Sequence, residues 1–170
     1  RPRRTERRRR TAARRARSRP GILCYDARMV RAEIESALTQ CLAAGDLRGI
    51  VSAYLFGSHA EGRAHRESDV DVGVVLRRGA CANERELFEL RLELVSRLSA
   101  AAGPGSVDVV VLNDVPPGLA RHVVTSGKRL LCTDPMADHA FVRDVQLRAA
   151  DLEPFLRRMR RIKLAAIARP

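Results

Sequence analysis

Three aspartates and one glycine-serine pair have the types and spacing to do chemistry together. Asp69 and Asp71 stand one residue apart at the head of the apolar run VDVGVVL, and ten residues separate them from Gly57-Ser58. Side chains alternate along a strand, so Asp69 and Asp71 project to one side with Cα atoms roughly 7 Å apart. Two carboxylates so placed can share a pair of divalent cations. Mg²⁺ suits such a site, because it is held by few carboxylates and keeps positions open for waters and substrate phosphates. A third acid, Asp108, interrupts the apolar run SVDVVVL, where a lone carboxylate is costly to bury without a partner. If its strand neighbours the first, the three acids form a two-metal site, with ions about 4 Å apart clamping the attacking and leaving oxygens of an in-line displacement. Asp69 and Asp71 would hold the metals, and Asp108 would complete one site beside the attacking hydroxyl. Gly57 lets backbone approach a phosphate closely, and Ser58 adds a hydroxyl and an N–H. Alone, Asp-x-Asp is common in surface loops and Gly-Ser is usually a turn. The ordered conjunction of strand, Gly-Ser, Asp-x-Asp on a strand, helix and Asp on a strand points to metal-bound phosphate chemistry.

The elements needed to position these residues are readable in order. From Met29 to Ala44, Val30, Ile34, Leu38 and Leu42 recur every four residues, which predicts an amphipathic helix with Gly45 as its stop. IVSAYLF, residues 50–56, predicts a buried strand that Gly57-Ser58 ends, with SHAEGRAH beginning a helical turn. In DVDVGVVL, Asp69, Asp71, Gly73 and Val75 share one face, and Val70, Val72, Val74 and Leu76 share the other, which must face a core. Leu87, Leu90, Leu94 and Leu98 predict a helix over 83–101, capped by Asn83 and stopped at Gly103-Pro104-Gly105. Strand 106–112 follows, then a helix from Pro116-Pro117 to Ser126 capped by Gly127, then the short strand KRLLC. From about Asp138 the pattern is helical again, and Pro154 predicts two helices or one with a kink. His59 is expected to face solvent in its turn, and His65, His122 and His139 share no uniting spacing. The basic end RRMRRIK reads as a solvated helix end that complements the macrodipole.

Composition bounds the rest. With 170 residues the chain supports one domain with a real core. The net charge of +12 suggests a nucleic-acid partner until it is divided along the chain. Residues 1–28 carry twelve Arg against Glu6 and Asp26, a net of +10, which leaves +2 for residues 29–170. The expected organisation is therefore a disordered Arg-rich extension over 1–28 and one domain over 29–170. Nucleic acid is expected, if at all, only through that extension, which has no aromatic residue within 1–20 to stack on a base. Cys24, Cys41, Cys81 and Cys132 have no metal-ligand spacing and read as reduced, mostly buried thiols. No apolar run approaches a membrane span, and a cytoplasmic compartment is expected.

GSHAEGRAHRESDVDVGVVL followed by SVDVVVL resembles the DNA polymerase β nucleotidyltransferase superfamily, and within it the small MNT branch. That branch forms the antitoxin half of HEPN-MNT toxin-antitoxin pairs. The resemblance runs from about Met29 to Arg161. It implies an α/β nucleotidyltransferase fold, a small mixed sheet flanked by helices. It also implies Mg²⁺, in two ions, and transfer of AMP from ATP to a hydroxyl, the acceptor being a tyrosine of a partner HEPN toxin. Gly57 and Ser58 are similar to the triphosphate-holding pair, Asp69 and Asp71 to the metal ligands, and Asp108 to the third acid. Relatives often carry Arg where this chain has His59 and Glu61, which leaves phosphate charge to Arg63 or Arg66. Residues 29–170 leave little room to enclose a small acceptor such as an aminoglycoside, and this favours a protein acceptor. The alternatives are a silent antitoxin acting by direct binding, a small-molecule nucleotidyltransferase of the aminoglycoside-modifying type, and a nucleic-acid module built on the Arg extension.

Overall fold

The structure, a computed structural model, describes residues 27–45, 49–65, 68–103 and 105–167. In chain order these form α1 (Ala27–Ala44), β1 (Ile50–Phe56), α2 (Gly57–Glu61), β2 (Val70–Leu76), α3 (Glu84–Ala102), β3 (Val107–Val111), α4 (Pro117–Ser126), β4 (Lys128–Cys132) and α5 (Pro135–Ile167). The expected extension over 1–28 and Cys24 lie outside the described residues, except that α1 already begins at Ala27.

The four strands form one mixed sheet in the order β3-β2-β1-β4. β1 runs antiparallel to both β2 and β4, whereas β2 and β3 are parallel. Parallel neighbours need a crossover, and α3 supplies it. Alternation along β2 decides the layers. Val70, Val72, Val74 and Leu76 join Leu38 and Leu42 of α1 and Leu94 and Leu98 of α3 in the larger core. On the other face, Val75 joins Val51, Tyr54, Leu112 and Val123, with Phe141 of α5 packed against them. The sheet thus has α1 and α3 on one side and α4 and α5 on the other, and the second side is the one toward which Asp71 points.

Local chemistry fixes where the elements begin and end. Asn83 Oδ1 accepts the Glu86 N–H at 2.9 Å, and a Glu86 carboxylate oxygen accepts the Ala82 N–H at 2.8 Å, which satisfies donors that the first turn of α3 cannot. Gly127 closes α4 with its N–H on the Val123 carbonyl. Asn113, just after β3, accepts the Leu76 N–H at 2.8 Å and donates to the Leu76 carbonyl at 3.0 Å, tying the far ends of β2 and β3 together.

Asp138 anchors α5. It is 1% exposed, and its Oδ1 accepts the hydroxyls of Ser52 and Tyr54, each at 2.6 Å. Arg129 donates to its Oδ2 at 3.0 Å. Burial by itself would raise the Asp138 pKa, but these hydrogen bonds prevail and hold it below the usual carboxylate range. Burial of the phenol, together with the contact to Asp138, pushes Tyr54 up to about 12. Of the two arrangements expected around Pro154, the single helix is found: α5 runs from Pro135 to Ile167 with Pro154 inside it. One expectation is corrected. Cys41, Cys81 and Cys132 are half-buried rather than mostly buried.

Candidate functional site

The site lies where β1 ends and β2 and β3 begin. Asp71 pairs in register with Asp108 across the parallel β2-β3 ladder. Residues in register on neighbouring strands point to the same face, so the two carboxylates emerge side by side. Asp69, two residues before Asp71, joins them from the approach to β2. Their proximity has an electrostatic signature. Burial raises the Asp71 pKa first, the charges of Asp108 and then Asp69 raise it further, and His59 opposes them. Strand order and register set Asp71 and Asp108 side by side, with Asp69 at the same end of the sheet. Asp108 also avoids the expected burial cost, since it is exposed at the sheet edge.

Gly57 follows Phe56, the residue that pairs with Asp71 across β1 and β2. Its φ is 68°, in the region that disfavours side chains, and a Cβ there would overlap Asp71 Oδ2 and lie 3.1 Å from Asp71 Cγ. The turn is thus pressed directly against the acid, and only glycine fits. Ser58 lies next to it, half-buried, in the single turn of α2. The Ser58 N–H, in the first turn of α2, is positioned to meet an anion.

His59 corrects the sequence reading. It is 6% exposed rather than solvent-facing, and its Nε2 lies 3.2 Å from the Ser68 carbonyl. A ring nitrogen meets a carbonyl only as a donor, so Nε2 carries the proton and Nδ1, buried without a partner, faces inward. The ring ties α2 to the residue before Asp69. Arg63 is exposed and paired with the Glu61 carboxylate, whose other oxygen lies 3.8 Å from His122 Nε2. Arg66 lies outside the described residues.

Ser106 was not singled out by sequence reasoning. Its hydroxyl donates to Asp69 Oδ1, and its carbonyl accepts the Val70 N–H at 2.9 Å, so it fastens the first acid to the head of β3. Its place directly before the acidic strand was the available signal.

Among the described residues, no three His, Cys, Asp or Glu side chains are drawn tightly enough together to ligate an ion by themselves. The donor set nevertheless fits a hard cation. It consists of three carboxylates, of which Asp71 has its pKa raised by burial and then by the charges of Asp108 and Asp69, in an open arrangement that leaves coordination to waters and phosphates, as Mg²⁺ requires.

Comparison with known proteins identifies the family of the fold. Residues 43–136 match the family described as "Polymerase beta, Nucleotidyltransferase". The protein adenylyltransferase MntA of Shewanella oneidensis is 38% identical over 77 residues, which cover 45% of this chain and 50% of that protein. The chain thus spans about half the length of the curated relative it matches. A crystal structure of a toxin-antitoxin with AMP-PNP is 27% identical with a TM-score of 0.53, covering 74% of this chain and 97% of that one. A mutant of the toxin-antitoxin MntA-HpeT is 25% identical with a TM-score of 0.51 and the same coverage of 74% and 97%.

Proposed function

Because this chain belongs to the polymerase beta nucleotidyltransferase family, we propose that it is an MNT-type antitoxin that transfers AMP from ATP to a tyrosine hydroxyl of a partner HEPN toxin. The observation that carries this reading is the register pairing of Asp71 with Asp108 beneath the Gly57 turn. Similarity to MntA, a protein adenylyltransferase, and to a toxin-antitoxin crystallised with AMP-PNP supports the donor and the class of partner.

Asp69, Asp71 and Asp108 would hold Mg²⁺, which supplies positive charge to the triphosphate and lowers the pKa of a bound hydroxyl. The chain's own groups do the rest. Gly57 admits the triphosphate against the strand ends, and the Ser58 hydroxyl and N–H orient it. Asp108, exposed at the edge of the sheet, receives the proton of the incoming hydroxyl. The hydroxyl oxygen bonds to the α-phosphorus as the bond to the bridging oxygen of the β-phosphate breaks, and pyrophosphate leaves in line. Ser106 keeps Asp69 in place, and His59 fixes the loop that leads to it.

A second reading, a binding-only antitoxin, draws on one observation: Arg63 is engaged by Glu61 rather than left for phosphates. Incubation with Mg²⁺, labelled ATP and the neighbouring gene's product separates the two. Label on the partner that disappears with Asp69→Ala plus Asp71→Ala supports the transferase. Neutralisation of the partner without label, persisting in that double variant, supports the binder.

A further inference from the structure

The part of the molecule that the proposed chemistry leaves unused is the outer end of α5. The last fully buried residue of that helix is Ala149, and from Pro154 to Ile167 every residue is exposed. Residues 155–167 therefore form roughly 20 Å of helix with no contact layer of their own. A helix this short is marginal in water without packing. Its sequence is nonetheless patterned for packing. Leu152, Phe155, Met159, Ile162 and Ala166 follow one another at spacings of three and four, a two-in-seven seam, and Phe155 and Ile162 are 58% and 53% exposed. Arg158 borders the seam on one side, and Leu156, Lys163 and Ile167 lie along the other. Together with Arg157, Arg160 and Arg161, Arg158 and Lys163 give this stretch five cations and no acid.

We infer that residues 155–167 are a docking arm for an acidic helix of the partner protein, one with an apolar a/d seam and Glu or Asp on its flanks. Charge selects the occupant. A second copy of this arm would set Arg and Lys against Arg and Lys, which disfavours self-pairing. Residues 1–20 have the same sign and no apolar seam, so the chain cannot cover the arm with its own Arg-rich stretch. An anionic membrane would also satisfy the charge, and Leu156 and Ile167 widen the apolar side, but Lys163 stands within that side, where a surface-lying helix presents an unbroken apolar face.

The arm leaves the domain beside α4. Arg121 of α4 pairs with Glu153, the residue before Pro154, at 3.2 Å, and the adjacent His122 lies 3.8 Å from Glu61 of α2. α4 thus touches both the root of the arm and the turn that carries Gly57 and Ser58. The family match ends at residue 136, so the arm lies outside the segment shared with the family. This inference rests on the reading that the acceptor hydroxyl belongs to another protein.

The test uses the full chain and the variant Phe155→Gln plus Met159→Gln plus Ile162→Gln, which keeps helix formers on an already exposed face. The probes are a synthetic heptad peptide with Leu at its a and d positions and Glu on its flanks, a Lys-flanked counterpart, and vesicles containing phosphatidylserine. The acidic peptide should bind, more weakly as salt rises, and at least tenfold more weakly to the triple variant, which should still bind AMP-PNP like the unaltered chain. With the neighbouring gene's product as acceptor, the variant should raise the apparent KM at least tenfold with little change in kcat. Equal binding of the acidic and basic peptides, unchanged binding by the variant, arm-dependent association with vesicles in place of the peptide, or self-association that the variant abolishes would each overturn the docking arm. Asp71→Asn should bind the acidic peptide normally and transfer no label. Label transfer by Asp71→Asn would instead overturn the transferase reading and leave the docking result standing.

Discussion

Gly57→Ala separates two costs that the structure places at one residue. The first is backbone strain, because φ is 68° and an alanine in the left-handed region costs roughly 1–2 kcal/mol. The second is overlap, because the new methyl would occupy the space of Asp71 Oδ2 and push the carboxylate away from Asp108. Overpacking of that kind costs a further 1–3 kcal/mol or so. Gly79 provides the control. Its φ is 75°, but a Cβ there meets nothing within 4 Å, so Gly79→Ala carries the strain alone. At roughly 2–4 °C per kcal/mol, Gly79→Ala should lower Tm by a few degrees and Gly57→Ala by about twice as much. Activity should diverge far more. A displacement of about 1 Å at a reacting centre can cost about 100-fold, so Gly57→Ala should lose about two orders of magnitude in AMP transfer while Gly79→Ala stays near the unaltered rate. Calorimetry and a label-transfer assay on the same samples read both quantities. Adding Asp71→Ala to Gly57→Ala should restore the stability lost to overlap, because the overlapping oxygens are gone. Equal rates for the two glycine variants, or additive stabilities in the double variant, would refute the claim that the turn presses on Asp71.

Further outcomes follow from the buried network and from the cation site. Asp138→Ala removes the acceptor for Ser52, Tyr54 and Arg129 and should cost roughly 3 kcal/mol in urea unfolding. The folded-state pKa of Asp138 is depressed, so its stabilisation is full above the ordinary carboxylate value and fades as pH falls through the lower folded value. Asp138→Asn should flatten that acid limb of the stability profile. Tyr54 behaves in the opposite sense. With its pKa raised from 10.0 to about 12, its contribution is full below the unfolded value and is lost as pH rises through about 12, and ultraviolet titration should find one of the two tyrosines ionising there. MgATP at 100 times its Kd should stabilise the chain by about 2.7 kcal/mol, an effect that EDTA removes and Asp71→Asn should abolish.

Much of the framework was legible because it rests on short-range periodicity. The alternation of Val70, Val72, Val74 and Leu76 against Asp69, Asp71, Gly73 and Val75 assigns each residue to a face without knowledge of any neighbour. Asn83 and Gly127 mark helix ends through bonds made within one turn. Pairing between distant segments was less legible. Nothing local in SVDVVVL states that its strand lies parallel to β2 with Asp108 opposite Asp71; the crossover through α3 decides that. His59 was misread because its burial depends on a contact nine residues on, the bond of its ring to the Ser68 carbonyl. Asp138 escaped notice because an acid in the first turn of a helix looks like a partner for the macrodipole, while its real partners lie 86 and 84 residues away. Pro154 did not divide α5 because the carbonyl it leaves without a donor belongs to Ala150, an exposed residue where water can take the bond.

The most direct measurement compares ATP labelled at the α-phosphate with ATP labelled at the γ-phosphate, using the neighbouring gene's product as acceptor. The three acids grouped under the Gly57 turn should move label from the α-phosphate only, release pyrophosphate in equal amount, and lose the reaction by a thousandfold or more (~4 kcal/mol of barrier) in Asp71→Asn and in Asp108→Asn separately. Label arriving from the γ-phosphate, or α-label still transferred at the normal rate after either substitution, would contradict the account.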